Sequence, residues 1–102
     1  MNLTNAFSLN MVAFPATINV EEVAQECAAI IASTCTSAVG HADTAAVFSS
    51  VLGTNVPMNR VTLQLKAGEK ILVGQYIGPR LPEGSTSLPE GAMIKWLMVS
   101  IS

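Results

Sequence analysis

Apolar and polar positions fall into blocks along this chain, and the spacing within each block assigns it to an element. Residues 2–7 (NLTNAF) and 12–20 (VAFPATINV) read as extended segments joined by a polar turn around Ser8 and Asn10. Pro15 marks the second as an edge or irregular strand. From Glu21 the period changes. Val20, Val23, Ala24, Cys27, Ile30 and Ile31 recur at helical intervals, with Glu21, Glu22 and Glu26 on the other face, where they suit the positive end of a helix dipole. This predicts a helix over 21–33. After the polar break STCTS, Gly40 ends one segment, and Asp43 or Thr44 starts a second apolar-periodic run through Ala46, Val47, Val51 and Leu52. Gly53 supplies its left-handed stop. His41 falls at or just before the first turn of this second helix.

Residues 60–66 (RVTLQLK) alternate strictly, AGEK makes a tight connection, and the apolar KILVGQYI comes next, so the two segments are predicted to pair as an antiparallel hairpin. The segment 78–92 (GPRLPEGSTSLPEGA) contains three prolines and three glycines and repeats Leu-Pro-Glu-Gly at 81–84 and 88–91. That density excludes a helix or a central strand and predicts a long structured loop of the kind that serves as a lid. MIKWLMVSI closes the chain as a strand that inserts into the sheet. The expected fold is α/β, a mixed, mainly antiparallel five-stranded sheet flanked by two main helices, in one domain over 1–102.

Composition adds three constraints. Half of the 102 residues are hydrophobic and only 12% are charged, so the polar surface is thin and a homodimer is expected to cover part of the apolar remainder. The formal charge is -2 and the five basic residues are scattered, which disfavours long nucleic acid but leaves room for a small phosphate ligand. Cys27 and Cys35 lie on what reads as one helix with a rise of roughly 12 Å between them, too far to bridge. They are expected to be buried thiols of a reducing compartment. No basic-then-apolar leader and no apolar run near ~20 residues is present, so the expectation is a cytoplasmic protein with no membrane partner.

His41 is the single histidine, and it lies beside a glycine at a predicted helix start, where unpaired N–H groups and the dipole favour an anion. A surface or capping histidine is the alternative. Arg80 and Glu83 sit three apart in the lid. Arg80, the one cation between Lys70 and Lys95, could clamp a phosphate through its bidentate fork. The alternative is a solvated charge pair worth ~0 to 1 kcal/mol. One histidine, two cysteines and dispersed carboxylates match no metal-ligand spacing, so neither a metal nor another cofactor is expected. A P-loop, a G-x-S-x-G elbow and a dinucleotide fingerprint are all missing, which excludes the commonest nucleotidase, hydrolase and dehydrogenase designs.

Taken together, NAFSLNM at 5–11, SAVGHADTA at 37–45, NR at 59–60 and QYIGPRLPEG at 75–84 resemble the viral ring nuclease, or type III anti-CRISPR, family, a former domain-of-unknown-function family of archaeal viruses, phages and bacteria. The similarity runs in the same order over nearly the whole chain. This sequence departs from it in having Pro82 before Glu83 and a short, doubled Leu-Pro-Glu-Gly lid. The resemblance implies a homodimer that binds cyclic tetra-adenylate across its two-fold axis and antagonises type III CRISPR signalling. It also implies metal-free cleavage by ribose 2′-OH attack, to linear di-adenylate with a 2′,3′-cyclic phosphate. His41 would be the general acid, Arg80 would steady the phosphate charge, and Glu83 would hold the histidine or the reacting ribose. Asn5, Ser8 and Asn10, with Gly40 and Thr44 at the helix start, would contact the ligand. Two alternatives stand beside this: a non-catalytic sponge for a cyclic nucleotide signal, and a dimeric module that binds a host protein through its apolar face.

Overall fold

The computed structural model describes residues 1–102. Its elements in chain order are β1 (Asn2–Thr4), a 3-10 turn (Leu9–Met11), β2 (Ile18–Val23), α1 (Gln25–Ala32), β3 (Thr36–Ser37), α2 (Ala42–Leu52), β4 (Lys70–Ile77) and β5 (Met93–Ile101). The five strands form one sheet in the order β2-β5-β4-β1-β3. β5 is antiparallel to both β2 and β4 and carries the longest ladders, from Lys70↔Ser100 to Ile77↔Met93 on the β4 side. β1 runs parallel to β4 and to β3. The sheet is therefore mixed and mainly antiparallel, with two helices on one face.

Period-two alternation splits β4 and β5 between two cores. Leu72 and Trp96 face the helices and pack with Ala28, Ala45, Phe48 and Leu52. Ile71, Val73, Val99 and Ile101 face the other way and pack under Val12 and Leu65. Phe48 and Trp96 meet edge-on, with ring centroids 5.0 Å apart and planes at 65°. Such a pair contributes about 0.5 to 1.5 kcal/mol beyond its buried area. The buried indole Nε1 of Trp96 has no hydrogen-bond partner, so packing alone holds the ring.

Helix α2 matches its predicted span, and Gly53 ends it at φ 69, a left-handed conformation that glycine adopts without strain. Three expectations are corrected. First, α1 begins at Gln25, because 18–23 is a strand paired with β5 from Ile18↔Ile101 to Val23↔Trp96. Val20 and Val23 suit a helical period, but Ile18 and Val20 also share one side of a strand. Pairing there satisfies the free edge of β5 and favours these β-branched residues. Second, 60–66 is not a strand beside β4, whose two edges are already occupied by β5 and β1. The segment lies over the sheet instead, buries Leu65, and makes one parallel bridge, Val12↔Leu65, with Leu65 N donating to Met11 O at 2.6 Å. The hairpin partner of β4 is β5, and 78–92 is the loop between them.

Third, the cysteines are not two buried thiols of one helix. Cys27 is exposed on α1, while Cys35 lies beyond its end, half-buried, and both are free. Burial pushes the Cys35 thiol up, with the positive amino terminus pulling the other way. Less of it is thiolate at any pH below that range, so it should react more slowly. Iodoacetamide at pH 8 is expected to label Cys27 well before Cys35 in a timed mass-spectrometric series; equal rates would contradict this burial. No helix is long and apolar enough to cross a membrane.

Candidate functional site

Strands β3, β1 and β4 run parallel, so their carboxyl ends lie at one edge of the sheet. The segments that leave these strands meet at that edge. Asn5 comes directly after β1, Gly40 and His41 lie just beyond β3, and Gly78 and Arg80 come after β4. In open α/β sheets this edge is where ligands bind, because loops and helix starts converge on it.

His41 is the N-cap residue of α2, extended at φ -131 and ψ 132, and its side chain makes no capping bond. The first helical bond runs from Ala45 N to His41 O at 2.9 Å, so the amides of 42–44 have no acceptor within the helix. Uncapped amides and the helix dipole together attract an anion. The imidazole is exposed.

The loop that carries His41 is held from behind by the segment 57–60. Ser37 Oγ donates to Pro57 O at 2.6 Å, Asn59 Nδ2 to Ser37 O at 2.7 Å, and Asn59 N to Val39 O at 2.8 Å. Arg60 then grips the Gly40 carbonyl with Nε at 3.1 Å and Nη2 at 3.0 Å. From the front, Gly40 N donates to Asn5 Oδ1 at 3.5 Å. A peptide fixed from both sides leaves His41 a defined starting point.

Two cavities meet at Asn5 and His41. One, of about 400 Å³, is lined by both of them together with Asp43, Thr44, Tyr76 and Arg80. The other, of about 490 Å³, takes in Ser8, Asn10, Gly40 and Arg60. Seven of the sequence-predicted residues thus converge, and each of the two cavities pairs His41 with one arginine, Arg60 in the larger and Arg80 in the smaller. Glu83 does not join them. It lines an adjoining cavity, with Asp43, Arg80 and Leu81, that His41 does not reach. No group of three or more histidine, cysteine, aspartate or glutamate side chains is arranged to hold a metal ion.

Three residues at the site carry no role predicted from the sequence. Asn59-Arg60 is a visible dipeptide, but nothing in the spacing says that Arg60 reaches back twenty positions to Gly40. Asp43 reads as an ordinary first-turn acid, yet its Oδ1 accepts the Gly84 amide of the 78–92 loop at 3.2 Å. Tyr76 reads as a strand residue, and its hydroxyl donates to the Pro79 carbonyl at the start of the 78–92 loop.

The STIV B116-like family model matches residues 1–97. Among solved structures, B116 of Sulfolobus turreted icosahedral virus (STIV) is similar at a TM-score of 0.79 and 30% identity, with 97% of this chain and 97% of that chain covered. No curated protein matches. The family match and the structural likeness both span almost the full length, and the matched residues include every member of this site: the chain belongs to the STIV B116-like family.

Proposed function

We propose that this protein is a metal-independent ring nuclease that binds cyclic tetra-adenylate and opens it by transesterification, antagonising type III CRISPR signalling. The observation that carries this reading is His41 and Arg80 lining one cavity at an uncapped helix start. A phosphodiester seated on the free amides of 42–44 would present its 5′-oxygen to His41 and its non-bridging oxygens to Arg80.

The chemistry needs little else. The ribose 2′-oxygen bonds to phosphorus as its proton passes to water, the bond from phosphorus to the 5′-oxygen breaks, and His41 hands that oxygen a proton that it regains from solvent. The ring supplies its own nucleophile, so the protein aligns, neutralises charge and protonates. Two cuts give linear di-adenylate ending in 2′,3′-cyclic phosphates. Asn5, Ser8, Asn10, Gly40 and Thr44 hold the ring on either side of His41. Glu83 lines an adjoining cavity and not the one that holds His41, so it would reach the ribose only as the loop moves.

A symmetric ring suits a symmetric dimer. The half of the sheet face away from the helices that Val12 and Leu65 leave uncovered is apolar, with Val20 52%, Ile77 39% and Met93 49% exposed. A cavity of about 340 Å³ on it is lined by Phe7, Val20, Val73 and Leu97 and reaches Asn5. A second copy seated there would adjoin the site at Asn5.

The test is turnover. Protein incubated with a hundredfold excess of cyclic tetra-adenylate in EDTA should consume all of it. Intact ring recovered after heating would contradict cleavage, and a melting temperature unmoved by the ring would contradict binding, since ligand at 100 Kd adds about 2.7 kcal/mol.

A further inference from the structure

We propose that Asp43 is a positioning residue that latches the 78–92 lid to helix α2 through the Gly84 amide and so holds Arg80 against the cavity lined by His41. The effect on cleavage rests on the ring-nuclease reading; the latch itself does not.

The lid is anchored at its roots. Tyr76 bonds Pro79 at one end, and Gly78 packs against Ala92, so closely that a Cβ at 78 would lie 2.7 Å from that of Ala92. Between the roots the lid's own bonds are local turns, Ser85 N to Pro82 O and Ala92 N to Pro89 O, both at 3.1 Å. From residues 80–91, the single hydrogen bond to the body of the protein is Gly84 N to Asp43 Oδ1, near the middle of the loop.

Asp43 is well placed for this work. It sits in the first turn of α2, two residues after His41, on an eleven-residue helix. Its side chain serves the lid and does not cap its own helix. It is half-buried, and it lines both cavities that Arg80 lines. Arg80 stands four residues before Gly84, so fixing Gly84 shortens the free span that carries the guanidinium from the whole loop to a few residues. Loop closure across fewer residues leaves Arg80 fewer positions to sample. Alanine at 43 frees the lid, whereas asparagine keeps an acceptor oxygen where Oδ1 stands.

Amide exchange of Gly84, followed by NMR on the ligand-free protein, tests the latch without any substrate. Asp43→Ala should speed that exchange about tenfold, and Asp43→Asn by less than about threefold, with both melting within a few degrees of wild type. In ring cleavage, Asp43→Ala should lower kcat about tenfold with KM little changed, and Asp43→Asn should recover most of that loss. Unchanged Gly84 exchange in Asp43→Ala overturns the latch whatever the activity. Faster exchange with undiminished kcat overturns the positioning of Arg80. If wild type leaves the ring intact, the nuclease reading falls, and exchange alone still decides the latch.

Discussion

His41→Ala is expected to slow single-turnover cleavage of cyclic tetra-adenylate by about 10² to 10⁴, the range that general acid catalysis commonly contributes, while affinity for the ring changes by no more than about threefold. The separation comes from position. In the proposed mechanism His41 would contribute to binding mainly through its backbone, as the N-cap of α2 whose carbonyl accepts the first helical bond from Ala45. Alanine keeps that backbone and the free amides beyond it. Its side chain makes no capping bond, so truncation removes no structural contact of that kind. On the proposed mechanism, what is lost is the proton for the leaving 5′-oxygen. A substrate with a 5′-thio leaving group, which departs without protonation, should be cut by wild type and His41→Ala at nearly equal rates. An equal loss on both substrates would assign His41 to binding or structure.

The largest stability effect is expected at a position with no part in the chemistry. Gly74→Ala should cost about 3 kcal/mol, the upper end of the range for overpacked cores, and lower the melting temperature by roughly 10 to 20 °C for a chain of this size. Gly74 is buried in the middle of β4, where a Cβ would fall 2.5 Å from Trp96 Cζ3 and 2.6 Å from Phe48 Cζ. Neither ring has room to retreat: Trp96 is 2% exposed, Phe48 is fully buried, and each abuts the other. Phe48 belongs to α2, so the missing side chain at 74 sets how closely that helix, with His41 at its start, lies on the sheet. Adding Phe48→Leu to Gly74→Ala should return part of the lost stability, a non-additive result that a double-mutant cycle would register. Simple additivity would show that the two positions do not compete for the same space.

The same residues explain what the sequence discloses and what it hides. Helix α2 is legible because its apolar period, its start beside Gly40-His41 and its stop at Gly53 are all local signals. The strands 70–77 and 93–101 are legible as apolar runs of the right length. Strand partners are not local. The alternation at 60–66 reports that Leu65 is buried, but whether it pairs with β4 depends on β5 and β1 having claimed both edges of that strand. β3, two residues long, has no period to detect, and it completes the five strands in place of 60–66. In 18–23 both periods fit, and only the free edge of β5 decides between them.

The site divides in the same way. Asn5, Gly40, His41 and Arg80 lie past strand ends and Thr44 lies in the first turn of α2, which is where parallel strands gather side chains, so motif and topology agree on them. Glu83 stands close after Arg80 in sequence, but it lines only the adjoining cavity and not the two that share His41. Arg60 and Asp43 act through backbone groups twenty and forty-one residues away, and no spacing rule reaches that far.

The most direct test is where the oxygen on the product phosphate comes from. Cyclic tetra-adenylate should be cleaved in water enriched in heavy oxygen, with EDTA present, and the products weighed. Attack by the ribose 2′-oxygen adds no water, so the account predicts di-adenylate of half the ring's mass, with 2′,3′-cyclic ends and no heavy oxygen. Heavy oxygen on the phosphate of the first product, or a ring that survives intact, would contradict it.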